Sequence, residues 1–457
     1  MATIGVCQTQ VFASILVLMF SLAQNYLTRG FWGDEAWTSM ISQLPYTQML
    51  KTTAADFHPP GYYTIIEILY KFAPHTEIVT RLVSIFFFLL TVWMAYLLAK
   101  RFKGQTFGLL SAAVVAVNPI FFTYAFEARN YTMFAFAATA SVYFLLGLCE
   151  KFSKRNAILF VLFTLLGMYT HYYMLFVLAA EGLFILMMDR KIIWKMIGLY
   201  TIVGLLFLPW IPFLFGQIKS AGQSYWIGSI NIRTHYEALM RILSGEHENI
   251  FRPFLFWLSF GLLVIGLLHH ILRRKFENAY ILIWLWALVP FILAALPGLK
   301  IEEFKLPFRP IFFWRYLIGS SVPLSLLIVH SAQRLSFNLY KPAVICVIVL
   351  SLGVDFLTFQ RFPKTFKQVY QNQVIGQIKP EDKIVTVLPS FAEVFYYRNY
   401  FGLKNELIVL PEGLVQFSGK SLLDTYAQDG TVKVTEKPSS GRHFELRPGP
   451  KLVVSGK

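Results

Sequence analysis

The chain has 457 residues, of which 56% are hydrophobic and only 14% charged. Soluble domains carry nearer a quarter charged residues, so an ordinary soluble enzyme is excluded and an integral membrane protein is indicated. The net charge of +16 sits in short loops between apolar runs, where it orients helices and meets anionic lipid, and this distribution argues against a nucleic-acid partner.

The first apolar run covers Val11 to Leu27. No Lys or Arg precedes it and no small-residue cleavage site follows, so a retained helix is expected in place of a signal peptide. Further runs of spanning length are Leu82–Ala99, Phe107–Tyr124, Tyr131–Cys149, Met196–Phe215, Phe254–Leu272, Ala279–Leu296, Phe312–His330 and Ala343–Phe359. The run from Ala157 to Met188 is too long for one helix and is expected to fold back near Thr170-His171-Tyr172. The expectation is a polytopic α-helical membrane protein with about eleven spans.

Basic loops follow every second span: Lys100 to Lys103, Lys151 to Arg155, Arg190 to Lys195, Arg273 to Lys275 and Arg334 to Lys341. Such loops mark the cytoplasmic side. They put the N-terminus in the cytoplasm and a large first loop, 28–80, outside the cell membrane, together with everything after Phe359. Arg29 alone runs against this pattern. The two domains expected are a transmembrane domain over 1–360 and a soluble extracytoplasmic α/β domain over 361–457. In the latter, Lys364–Ile378 has apolar residues at helical spacing and Phe391–Tyr400 reads as a second helix. Asp382–Leu388 and Leu407–Leu410 read as strands, with edge strands at Val432–Val434 and Leu452–Val454. Cys7, Cys149 and Cys346 lie far apart in or near apolar runs, so neither a disulfide nor a metal site is expected.

The outer-face loops concentrate the chemistry. Asp34 and Glu35 stand between Trp32 and Trp37. On a helix adjacent residues point about 100° apart, so the two acids would not act as a facing pair. One can accept a proton while the other orients the loop or binds an Arg or Lys. A solvated acidic turn is the plain alternative. Asp56 precedes His58-Pro59-Pro60, whose prolines fix the backbone, and Tyr62-Tyr63 follows. His58 can donate to a phosphate while Asp56 holds its ring; the tyrosines alternatively serve as interfacial anchors. Arg81 and Arg129 lie at outer span ends, Arg129 within the polar turn Glu127-x-Arg129-x-Tyr131, and Arg315-Tyr316 opens a later span. The planar guanidinium suits phosphate, and charges at a membrane edge are functional candidates, although a snorkelling Arg is the ordinary alternative. Glu246-His247-Glu248 is a weak metal signal, and His269-His270 reads as a helix-end feature. No Walker-type glycine loop and no G-x-G-x-x-G occurs.

Taken together, Asp34-Glu35, Asp56-x-His58-Pro59-Pro60-x-Tyr62-Tyr63, Arg81-Leu82, Glu127-x-Arg129-x-Tyr131 and Arg315-Tyr316 resemble the GT-C glycosyltransferases. The likeness is to the bacterial family 39-like branch, related to protein O-mannosyltransferases and aminoarabinose transferases. It covers roughly residues 10–360 and is specific for the superfamily but poor for the substrate. It implies a GT-C fold and an inverting transfer of a hexosyl or pentosyl group from a polyprenyl-phosphate sugar to a hydroxyl on a lipid, glycan or protein. It also implies Asp34 as base with Glu35 beside it, and His58, Arg81, Arg129 and Arg315 on the donor phosphate. Asp56, Tyr62, Tyr63, Glu127, Tyr131 and Tyr316 are the implied substrate contacts. No cofactor is implied, and a divalent ion on the phosphate is left open. Relatives differ at the His58 position, some carrying Lys. The competing reading is a transporter or flippase of an amphiphile, which predicts an inverted repeat and paired broken helices. Neither is visible in the sequence.

Overall fold

A computed structural model describes residues 23–456 apart from 189, 225–226, 228–229, 274–277, 299–309, 414–418 and 437–440, with 14, 17 and 21 before them. The expected first span, Val11 to Leu27, thus lies mostly outside the described residues. The chain forms two compact units. One comprises Met1–Tyr26, Ser84–Pro209 and Ile227–Arg361; the other comprises Leu27–Val83, Trp210–Trp226 and Phe362–Lys457.

The first unit is helical, although Glu77–Ala116 begins before it and Ile193–Ser220 runs past its Pro209. Six helices among the described residues are long and apolar enough to cross a membrane: Glu77–Ala116, Tyr131–Glu150, Ile193–Ser220, Arg252–Leu272, Asn278–Ala295 and Asn338–Phe359. The run 157–188 does fold back, as helices Lys154–Met168 and Met174–Met188 on either side of the 169–173 turn. Two other runs are broken where the sequence reads one span. The helix over 77–116 has non-helical backbone at Lys103 and Gly104, the latter at φ 79°, and ends before Asn118. The Asn118 side chain accepts from the Phe121 N–H at 3.1 Å, and Pro119, with no N–H of its own, starts the new helix Pro119–Ala125. The run 312–330 opens as a 3₁₀ helix, Trp314–Ser320, before the α-helix Ser321–Ala332.

The second unit joins the segment after the first apolar run to the C-terminal tail. Three short helices, Gly33–Ile41, Tyr46–Ala54 and Gly61–Tyr70, form the first part. The tail holds a five-stranded sheet of order β3-β2-β1-β4-β5, with β1 Lys383–Val387, β2 Leu407–Leu410, β3 Lys433–Val434, β4 His443–Arg447 and β5 Lys451–Ser455. β1 pairs parallel with both β2 and β4, and only β5 runs antiparallel. Being central, β1 and β2 are mostly apolar; their Val385, Val387, Ile408 and Leu410 pack into one core. β4 alternates polar and apolar residues, His443-Phe-Glu-Leu-Arg447, and this central strand was not legible in the sequence. The expected helix over 364–378 is a single α-turn, Phe366–Val369, continuing as a π-turn, Tyr370–Val374. The helix expected at 391–400 is present as Leu388–Tyr400, and it packs on Gly33–Ile41.

Candidate functional site

In the second unit, Asp34 and Glu35 occupy the first turn of helix Gly33–Ile41, and the helical step sends them in different directions. Glu35 points inward and is fully buried. Arg81 meets it with Nε donating to Oε1 at 2.8 Å and Nη2 donating to Oε2 at 2.6 Å. The other guanidinium hydrogens go to the carbonyls of Leu27, Arg29 and Gly30 at 3.0, 2.7 and 3.4 Å. All five Arg81 donors are thereby committed to the carboxylate and to the strand of backbone leading into the helix. The pair neutralises Glu35 and ties residues 27–30 in place. Asp34 is partly exposed. Its position in the first turn places its carboxylate at the positive end of the helix dipole.

The C-terminal helix Leu388–Tyr400 braces this turn. Tyr397 accepts from the Phe31 N–H at 2.5 Å and donates to Glu77 at 2.9 Å. Tyr396 donates to the His75 carbonyl at 2.7 Å, and its ring meets Phe31 edge-on at 4.9 Å. Glu393 lies against Gly33: a Cβ there would stand 3.9 Å from its Oε2. Desolvation, with the charges of Asp34 and Glu35 adding to it, pushes the Glu393 carboxyl up to about 8. Nothing in the sequence Phe391–Tyr400 marks Glu393, because no local pattern shows which face meets an acid-bearing helix far away in the chain.

Asp56 is buried, and the His58 Nδ1 lies 3.4 Å from its Oδ2. Pro60 caps helix Gly61–Tyr70. Tyr62 and Tyr63 in its first turn are fully buried, with Tyr63 edge-on to Trp37 at 5.2 Å. They pack inside the unit and do not serve as surface anchors.

The first unit holds the other candidates. Glu127, Arg129 and Tyr131 are all buried in the turn between helices Pro119–Ala125 and Tyr131–Glu150. The turn is fixed from two sides: Ser84 donates to the Arg129 carbonyl at 3.1 Å and Asn130 donates to the Thr170 carbonyl at 2.8 Å. The Arg129 guanidinium sits 5.9 Å from the Tyr131 ring centroid. Tyr131 meets Tyr124 edge-on at 5.0 Å, and the Arg315 guanidinium lies 6.0 Å from that same Tyr124 ring. The Glu127–Tyr131 turn and the Arg315-Tyr316 step, far apart in sequence, are therefore gathered around one tyrosine. Glu246 joins them, 3.8 Å from Arg315, 3.6 Å from Arg241 and accepting from Tyr124 at 3.3 Å. His171 lies under Tyr316 at 5.3 Å and stacks on Phe134 at 5.1 Å; its Nδ1 accepts from the Tyr173 N–H at 3.1 Å. In the sequence Glu246 stands only in a weak metal signal and His171 only at a fold-back. Their partners come from other loops, which no local pattern encodes. No group of three metal-capable side chains occurs among the described residues.

The family model for dolichyl-phosphate-mannose-protein mannosyltransferase matches residues 57–215. A comparison with curated protein sequences gives no match. Among solved structures, ArnT from Cupriavidus metallidurans bound to undecaprenyl phosphate is similar at TM-score 0.64 and 13% identity, over 96% of this chain and 93% of that one. The archaeal oligosaccharyltransferase AglB from Archaeoglobus fulgidus, in complex with an inhibitory peptide and a dolichol-phosphate, is similar at TM-score 0.52 and 9% identity, over 95% of this chain and 69% of that one. At such identities the likeness is one of fold, and the matched segment 57–215 adds a sequence pattern to it. The chain thus shares its fold with these two membrane enzymes, and its segment 57–215 carries the pattern of the mannosyltransferase family model.

Proposed function

We propose that the protein transfers a sugar from a polyprenyl-phosphate donor to an acceptor hydroxyl on the extracytoplasmic face, with inversion and with Asp34 as base. The observation that carries this reading is the division of labour in one helical turn. Glu35 is buried and neutralised by Arg81, whereas Asp34, one residue earlier, is partly exposed. Of the two acids only Asp34 is disposed to meet an acceptor. The lipid phosphates in the ArnT and AglB complexes, and the mannosyltransferase pattern over 57–215, support a lipid-phosphate sugar as donor.

In the proposed step the acceptor O–H proton passes to the Asp34 carboxylate and the acceptor oxygen bonds to the anomeric carbon. The bond from that carbon to the phosphate oxygen breaks on the opposite face, and the lipid phosphate leaves with the electron pair. A phosphate dianion is a weak base and needs no strong acid to leave. Arg129, Arg315 and His58 are the groups we assign to its growing charge. Arg81 we assign to holding Glu35, because its five donors already have protein acceptors. Asp56 holds the His58 ring; Glu127, Tyr131 and Tyr316 shape the substrate surface.

The test is Asp34→Asn in purified protein supplied with polyprenyl-phosphate sugars and envelope lipid acceptors. General-base removal lowers rate by about 10²–10⁴-fold. Transfer at the wild-type rate by a folded Asp34→Asn protein would refute the assignment.

A further inference from the structure

Away from this machinery, the first unit gathers four basic side chains where its helices end. His270 stands near the end of Arg252–Arg273, His330 near the end of Ser321–Ala332, Arg334 just beyond it, and Lys103 at the break in Glu77–Ala116. His330 is the centre. Its Nδ1 lies 3.3 Å from Lys103 Nζ; its Nε2 lies 3.1 Å from His270 Nε2 and 3.0 Å from Arg334 Nη2. The rings are held rigidly, His270 stacked on His330 with 8° between planes and Tyr280 with its centroid 3.5 Å from the His330 centroid.

A neutral imidazole has one lone pair and one N–H. If the lone pair is on Nδ1 it accepts from Lys103, and an N–H then faces the Arg334 guanidinium. If it is on Nε2 it accepts from Arg334, and an N–H then faces the ammonium. With the lone pair on Nδ1, the Arg334 Nη2 donor meets an N–H in place of an acceptor on this ring. The Arg334 Nε is also buried with no hydrogen-bond partner among the described residues. Lys103 donates to Gln333 as well, at 3.0 Å, which fixes its head over the cluster. Burial is graded: the two histidines are fully buried, Arg334 is partly exposed and Lys103 is exposed. The cluster therefore opens to the surface at its cationic end.

We propose that this cluster is an anion site for a phosphate group, carried by an anionic membrane lipid or free in solution. A phosphate offers several acceptor oxygens in fork geometry to Arg334 and a counter-charge to Lys103. The position at helix ends is the level at which lipid headgroups lie.

Native mass spectrometry of the detergent-purified protein tests it, with phosphatidic acid, phosphatidylcholine and inorganic phosphate as probes. Wild type retains phosphatidic acid over phosphatidylcholine. Lys103→Gln with Arg334→Gln weakens that retention by about tenfold or more, while Arg101→Gln, a neighbouring cation paired with Glu150, leaves it unchanged. Displacement of the lipid by inorganic phosphate supports a site open to the free ion; no displacement supports a site specific for the headgroup. Equal retention in the double variant, or an equal loss in Arg101→Gln, overturns the site in favour of diffuse surface charge. If the double variant does not fold, thermal unfolding of wild type replaces it. An upward shift with phosphatidic acid against phosphatidylcholine, or with phosphate against chloride at equal ionic strength, supports the site, and no shift in either pair overturns it.

Discussion

Replacing Glu35 with Gln leaves the Arg81 guanidinium charged and buried without the carboxylate that takes its Nε and Nη2 hydrogens. Both side chains of the pair have no solvent exposure, so water cannot substitute. Breaking a fully buried pair by removing one partner costs about 3–5 kcal/mol, because a lone charge remains in a poorly polarisable place. Glu35→Gln falls at the lower end, since the amide oxygen still accepts one hydrogen. Arg81→Met falls at the upper end, since it strands the carboxylate and also frees the Leu27, Arg29 and Gly30 carbonyls. The double change Glu35→Leu with Arg81→Met removes both charges and is expected to cost less than the two single losses added together. Denaturant or thermal unfolding of the detergent-purified proteins, followed by tryptophan fluorescence, measures each. Asp34→Asn is the internal control: partly exposed, it is expected within about 1 kcal/mol of wild type. A Glu35→Gln protein as stable as wild type, beside an unstable Asp34→Asn protein, would invert the roles given to the two acids and refute the reasoning.

Other outcomes are expected from the same geometry. Arg315→Gln removes a cation that Glu246 and three aromatic rings hold in place, and transfer efficiency is expected to fall by about 10–100-fold through a higher donor KM; steady-state kinetics with varied donor checks it. Glu393 gives a pH signature. Its folded value near 8, against an ordinary 4.5, means that the folded chain keeps a proton that the unfolded chain releases. Stability is therefore untouched below about pH 4.5, declines as pH rises through about 8, and levels above that. Glu393→Gln abolishes this decline, equalling wild type at low pH and exceeding it at pH about 9 by on the order of a few kcal/mol at most; unfolding across pH reads the slope. Gly319→Ala would place a Cβ 2.6 Å from Phe134, the ring on which His171 stacks. The repacking is expected to cost about 1–3 kcal/mol in thermal stability and to lower activity by shifting His171.

Span-length apolar runs, the fold-back at Thr170-His171-Tyr172 and the apolar strands β1 and β2 were legible because they depend on local composition and period. β4 was not, because a strand of alternating His, Phe, Glu, Leu and Arg declares itself only through the neighbours it pairs with. The break after residue 116 was missed because the hydropathy of 107–124 is continuous, while the Asn118 cap and Pro119 end the helix by hydrogen bonding.

The same division holds for the candidate site. Residue chemistry alone drew attention to Asp34, Glu35, His58, Arg81, Arg129 and Arg315, since acids, imidazole and guanidinium are conspicuous in so apolar a chain. It could not say which of two adjacent acids is buried, nor that Arg81 belongs to Glu35. It also could not bring Glu393 to Gly33, or Glu246 to Arg315 and Tyr124. Those pairings join residues far apart in the chain, and a charge is buried or open according to what the folded backbone sets beside it. Local sequence determined the membrane character and the inventory of reactive groups; tertiary structure decided their partners, because burial and hydrogen bonding are properties of the assembled surroundings.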